Sequence, residues 1–178
     1  MADTQSFDVI YSNEKSQKPI LILPCSASKA KVSAAPAYKL YTGALMAIMN
    51  KWSWVEITTA FNVFFLSAKY GLVKHNEELN NYDQKLDESC LRDFENDEAL
   101  KRSANELLST TSRHANTYIM LPKMYAKGLE ALCCEELKYR VHKRTFNPGS
   151  GIGSQRGQIN ELLSDYLGSP VTKSRITE

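Results

Sequence analysis

The chain is poor in metal-ligating residues: its 178 residues include four cysteines and three histidines. Cys25, Cys90, Cys133 and Cys134 form no CxxC pair, and no histidine stands at zinc-finger spacing. Neither a disulfide framework nor a structural zinc is therefore suggested, and reduced thiols with no metal and no cofactor are expected. No run approaches the roughly 20 apolar residues that a membrane span needs. The opening stretch MADTQSFDVIYSNEKSQKP is too polar for a signal peptide. A cytoplasmic protein with no membrane partner is the expectation. Low-complexity tracts and sequence repeats are missing too, and a formal charge of +2 is too small for a dedicated non-specific DNA coater.

What is there has the make-up of one soluble domain, 43% hydrophobic and 24% charged. The charge is uneven. Residues 1–100 hold 10 Lys/Arg against 13 Asp/Glu, and residues 101–178 hold 12 against 7. The C-terminal part can thus offer a basic face to a polyanion.

Residues 1–18 read as a flexible arm and 169–178 as a tail, leaving 19–168 as a single domain. Pro19-Ile-Leu-Ile-Leu-Pro24 is short and aliphatic, as a strand buried on both faces requires. A small polar loop follows, then helical spacing over Tyr38–Met49. The same alternation continues with a strand at 62–66, a helix at 98–108, a strand at 117–121 and a helix around 125–137. A strand over 139–146 and a final amphipathic helix over 155–167 complete it. Residues 77–98, rich in Asp and Glu, read as a surface excursion. Alternating strands and helices predict a three-layer α/β/α domain around a mostly parallel four-stranded sheet.

In such sheets ligands bind beyond the carboxyl ends of the strands, where here four polar or glycine-rich loops should converge. Cys25, Ser26, Ser28 and Lys29 follow the first strand. Their small side chains let backbone amides approach an anion, although the loop lacks the Walker A glycines and also reads as an ordinary strand-to-helix connection. Cys25 with a histidine base would make a nucleophile, but no local spacing fixes such a pair.

Ser67, Lys69 and Tyr70 follow the second strand, offering a hydroxyl, an ammonium and a ring to a phosphate and a base; Tyr70 could equally fill the rim of the core. Lys123 and Tyr125 follow the third strand, and Asn147, Gly151 and Arg156 surround the glycine-rich start of the last helix. Asn80-Asn-Tyr-Asp83 offers a carboxylate beside an aromatic ring, or an Asx turn capping a helix. Lys138, Arg140, His142, Lys143 and Arg144 make a basic strip, readable as a phosphate contact or as a solvated edge strand.

In order and spacing, Leu-Pro-Cys-Ser-x-Ser-Lys (23–29), Leu-Tyr-x-Gly (40–43), Leu-Ser-Ala-Lys-Tyr-Gly-Leu (66–72), Tyr-Asp-x-x-Leu (82–86) and a closing Gly-x-Gly resemble small phage and bacterial proteins of the uracil-DNA-glycosylase-like superfamily. Similar segments occur in DNA-associated peroxide-stress proteins and in archaeosine-synthase-type domains. The resemblance spans about residues 20–167. It departs from the uracil-DNA-glycosylase signature in lacking the Asp of the first loop and the His-containing second motif, so the catalytic carboxylate is not carried over.

The resemblance implies a DNA glycosylase, cutting the N-glycosidic bond of a base extruded from DNA. Antiphage enzymes that excise glucosylated hydroxymethylcytosine from phage DNA are the specific relatives it points to. Such an enzyme needs a carboxylate to support the oxocarbenium-like sugar, donors for the departing base and a pocket that grips it. On this reading Asp83, Lys69 and Asn147 are catalytic, with Glu77 and Glu78 the other candidates for the carboxylate, while Cys25, Ser26, Ser67, Tyr70, Tyr82 and Tyr125 hold the base. Ser28, Lys29, Lys123, Arg140, Lys143, Arg144, Gly151 and Arg156 hold the DNA phosphates. The expected partner is DNA, with modified phage DNA as the specific candidate and a monomer as the expected state. A non-catalytic DNA-binding stress protein and an N-glycosidase of free nucleosides are the alternatives.

Overall fold

A computed structural model describes residues 17–140 and 143–170. Its centre is β1 (Ile20–Pro24), in which all five residues are buried. It lies between β3 (Asn62–Ser67) and β6 (Thr117–Ile119), pairing in parallel with both. A strand paired on both edges and covered on both faces has no use for polar side chains, which accounts for the unbroken Ile-Leu-Ile-Leu run. Outside β6 lies β7 (Lys143–Thr145), also parallel, and outside β3 lies β4 (Gly71–Lys74), antiparallel. The sheet order is β4-β3-β1-β6-β7. The protein is therefore mixed α/β, with a five-stranded, mostly parallel sheet where four strands were expected.

The extra strand arises from a tight reversal that the sequence marks only by Gly71, whose φ of 69° lies in the left-handed region. A separate ribbon pairs β2 (Ala34–Pro36) with β5 (Glu78–Asn80). The expected helix over 38–49 is broken into α1 (Ala37–Leu40) and α2 (Ala44–Met49). α3 (Trp54–Ala60) begins at Ser53, which forms a reciprocal capping box with Glu56.

The acidic stretch at 77–98 is less of an excursion than its composition predicts. It contains β5 and α4 (Glu88–Asn96), and buries Leu79, Leu86, Cys90 and Phe94. Its carboxylates serve locally: Asp87 caps α4, and Asp97 caps α5 (Glu98–Ser109). α6 (Lys123–Lys138) kinks at Cys133, and α7 (Ile152–Leu167) closes the domain. Gly128 on α6 lets α4 approach, since a Cβ there would sit 3.3 Å from Leu86 and 3.4 Å from Phe94.

The helices form two contacting groups, α2 and α3 against α7, and α4 and α5 against α6. That division is compatible with helices on both faces of the sheet. Because β1, β3, β6 and β7 are parallel, their carboxyl ends all open on one side. No helix among the described residues is long and apolar enough to cross a membrane.

Candidate functional site

Beyond the end of β1 the chain cannot continue as a strand, because β3 runs on only to Ser67 and then reverses through Gly71. The Cys25 amide makes the last rung of the ladder, donating to the Leu66 carbonyl at 3.0 Å. Ser26 then folds the loop on itself. Its hydroxyl donates to the Ser28 carbonyl and accepts from the Thr42 amide at 3.1 Å. The Thr42 amide also reaches the Ser28 carbonyl at 3.1 Å. This contact explains Gly43: a Cβ there would stand 2.6 Å from the Ser26 Cβ. The Leu-Tyr-x-Gly segment is thus the partner of the first loop, with Leu40 and Tyr41 buried beneath it.

Between these segments lies a cavity of about 300 Å³. Pro24, Cys25, Ser26 and Ser28 form one wall, Ala44, Leu45 and Met46 another, and Pro122, Tyr125 and Ile152 close it. Its size is at the lower end for small-molecule sites, and its mix of apolar wall with a few polar groups is typical of them. The Cys25 thiol and the Tyr125 hydroxyl meet at 3.4 Å. Ile152, 56% exposed at the first turn of α7, brings the glycine-rich loop to the cavity.

Next to the cavity is a cluster of hydroxyls. Tyr82 is 3.0 Å from the Tyr41 hydroxyl and 2.9 Å from that of Ser67. Ser67 also accepts from the amides of Lys69 and Tyr70, at 3.2 and 3.0 Å, which turns the chain sharply after β3. Burial pushes the Tyr41 hydroxyl up to about 12, and it raises those of Tyr82 and Tyr125 as well. All three are neutral hydrogen-bonding groups at neutral pH.

Tyr82 is held from the other side by its neighbour. Asn81 donates through its side-chain amide to the carbonyls of Ala30 and Val32, both at 2.9 Å. The Asn-Asn-Tyr-Asp segment thus ties the first loop down, while the helix cap expected there falls to Asp87.

Of the residues singled out in the sequence, Cys25, Ser26, Ser28 and Tyr125 line the cavity, and Ser67 and Tyr82 belong to the adjoining cluster. Tyr41, Leu45, Met46 and Ile152 were not among them. Tyr41 and Gly43 stood in a motif whose spacing from Ser26 was its only signal. Asp83 is exposed, does not line the cavity and has no side-chain partner among the described residues. Lys69 faces a different cleft, shared with Gln84, Asp93, Asp97 and Glu98. Asn147 is exposed and is fixed by its backbone, which donates to Gln158. Lys123, Gly151 and Arg156 are exposed at or near the starts of α6 and α7. Neither His75 nor His114 lines the cavity.

The basic strip needs correction. Arg140 is buried and unavailable to a phosphate, since its guanidinium donates to the carbonyls of Leu108 and Ser112 at 2.7 and 2.9 Å and to the Thr111 hydroxyl at 2.9 Å. It closes the C-terminal end of α5, where orphan carbonyls need donors. Arg144 is exposed but lies 4.0 Å from Glu161. Lys138 pairs with Glu135 at 2.7 Å. Of the expected strand over 139–146, the described residues form β7, which includes Lys143. His142 lies outside the described residues, as do positions 1–16 of the N-terminal arm and 171–178 of the tail. Among the described residues no group of three or more His, Cys, Asp or Glu could hold a metal ion.

Residues 20–157 match a family of unknown function, DUF6884, which covers the sheet, the cavity and the start of α7. No curated protein matches the chain.

Proposed function

The chain belongs to the DUF6884 family, and we propose that it is a DNA glycosylase, hydrolysing the N-glycosidic bond of a base displaced from DNA into the cavity beyond β1. The observation that carries this reading is the cavity itself: about 300 Å³, apolar on one wall and edged by Ser26, Ser28 and the Tyr125 hydroxyl, at the carboxyl ends of parallel strands. A nucleobase offers flat apolar faces and a polar edge, which is the complement of those walls. The resemblance to the uracil-DNA-glycosylase-like superfamily in motif order, together with the two helix groups about a mostly parallel sheet, supports a three-layer fold of that kind. The same resemblance makes glucosylated hydroxymethylcytosine in phage DNA the first substrate to test, with antiphage defence as the role.

Asp83 is the carboxylate assigned to the oxocarbenium-like sugar. It follows Tyr82, whose hydroxyl is anchored in the cluster beside the cavity, and no partner among the described residues holds its own side chain back. Asp83→Asn should cut base release by about 10²–10⁴-fold, the usual worth of a positioned acid or base, while DNA affinity and thermal stability stay unchanged. Unchanged release in that variant would remove Asp83 from the reaction.

A non-catalytic reading, in which the cavity only holds a displaced base, is favoured by one observation: no carboxylate or histidine among the described residues lines the cavity. It expects binding without release from any DNA.

A further inference from the structure

Lys29 and Lys69 stand on either side of a pair of tyrosines. The Lys29 ammonium lies 4.2 Å from the centre of the Tyr82 ring, and that of Lys69 lies 5.2 Å from the centre of the Tyr70 ring. The two rings meet edge to face at 5.4 Å. Both are fixed at their far ends, Tyr82 by Ser67 and Tyr41, and Tyr70 by donation to the Asn80 carbonyl at 3.1 Å. Neither lysine pairs with a carboxylate among the described residues.

A lysine on a fixed ring has lost part of its rotamer freedom before any ligand arrives, and the ring's quadrupole favours the charged head there. The two cations are thus pre-placed, with neither held in an ion pair among the described residues. The row adjoins the cavity, because Lys29 directly follows Ser28, which lines it. Beyond Lys69 the surface changes sign: Asp93, Asp97 and Glu98 line the cleft it faces. A polyanion is repelled there, so Lys69 marks the end of the track.

We propose that Lys29 and Lys69 are a two-point clamp for the phosphodiester backbone of the strand whose base enters the cavity. This rests on the glycosylase reading for the occupant of the cavity, though not for the clamp itself. Tyr70 and Tyr82 then serve as seats for the lysines instead of as platforms for bases, because the ring faces are where the ammonium groups sit. The strand crosses the molecule on the β3–β4 side of the cavity, away from β7.

The test is the salt dependence of binding to a fluorescently labelled single-stranded DNA oligonucleotide, followed by anisotropy. Each lysine that neutralises a phosphate on a single strand contributes about 0.7 to the slope of log affinity against log salt, so the double variant Lys29→Gln/Lys69→Gln should lower the slope by about 1.4. The charge-keeping variant Lys29→Arg/Lys69→Arg should retain the slope, and its retention shows that the fold tolerates change at these positions. Lys101→Gln should leave the slope alone, because the Lys101 ammonium already pairs with Glu98 at 3.0 Å. An unchanged slope in the double glutamine variant, or the loss appearing in Lys101→Gln instead, would overturn the clamp. Wild-type protein that binds with the full slope but releases no base would refute the hydrolysis and keep the clamp. Base release with a slope indifferent to both lysines would refute the clamp alone.

Discussion

Lys29 and Lys69 rest on tyrosine rings with no carboxylate partner among the described residues, whereas three cations near β7 have partners: Arg140 at the end of α5, Lys138 with Glu135, and Arg144 at 4.0 Å from Glu161. The β7 region is the denser in basic residues, yet Lys29 and Lys69 beside the cavity are two cations with no carboxylate partner among the described residues. A cation's worth to a polyanion depends on what has already neutralised and ordered it. A count of lysines and arginines along the chain carries neither fact.

The sharpest way to break this contrast is at Arg140. If it belongs to the fold, Arg140→Met should cost about 3–5 kcal/mol in urea unfolding, because it strands buried carbonyls at Leu108 and Ser112 and leaves Glu136 with one partner fewer. The folded variant should keep the wild-type salt slope. A loss of DNA binding with stability intact would return Arg140 to the surface.

The next effect is at Tyr82. Tyr82→Phe keeps the ring under Lys29 but removes its hydrogen bonds to Tyr41 and Ser67, which should lower stability by about 1–3 kcal/mol. Affinity for DNA should fall while the salt slope holds, since the charges remain and only their seat loosens.

The smallest effect is the pH response of the cluster. Burial raises Tyr41 to about 12 in the folded state from an ordinary value of 10.0. The folded protein therefore keeps that proton more tightly than the unfolded chain does. The contribution to stability is complete below about pH 10 and declines from there to about pH 12. Denaturation midpoints measured across that range should fall, and Tyr41→Phe should flatten the fall. A fall that Tyr41→Phe leaves just as steep, with no part of it removed, would mean that Tyr41 is not buried.

The parallel core was legible because period and composition report burial directly: the Ile20–Pro24 run, the strand at 62–66 and the final helix all lie within a few residues of their expected bounds. The first loop was legible as well, since Cys25, Ser26 and Ser28 do line the cavity. What the sequence hid were contacts between distant segments. Gly43 looks like any loop glycine until Ser26 is placed 2.6 Å from its missing Cβ. Tyr41 looks like core, and Asn81 looks like a helix cap while in fact tethering residues 30–32. Arg140 was misread because a buried arginine and an exposed one are the same letter, and only the carbonyls at the end of α5, some 30 positions earlier, distinguish them.

The central claim is that the cavity beyond β1 takes a base out of DNA and cuts it loose. It is tested most directly by incubating the protein with phage DNA carrying glucosylated hydroxymethylcytosine and with unmodified DNA, then measuring free bases by mass spectrometry and abasic sites by alkaline cleavage. The account predicts free modified base and a matching number of abasic sites from the modified DNA alone. Neither product from either DNA, with the DNA still bound, would contradict it.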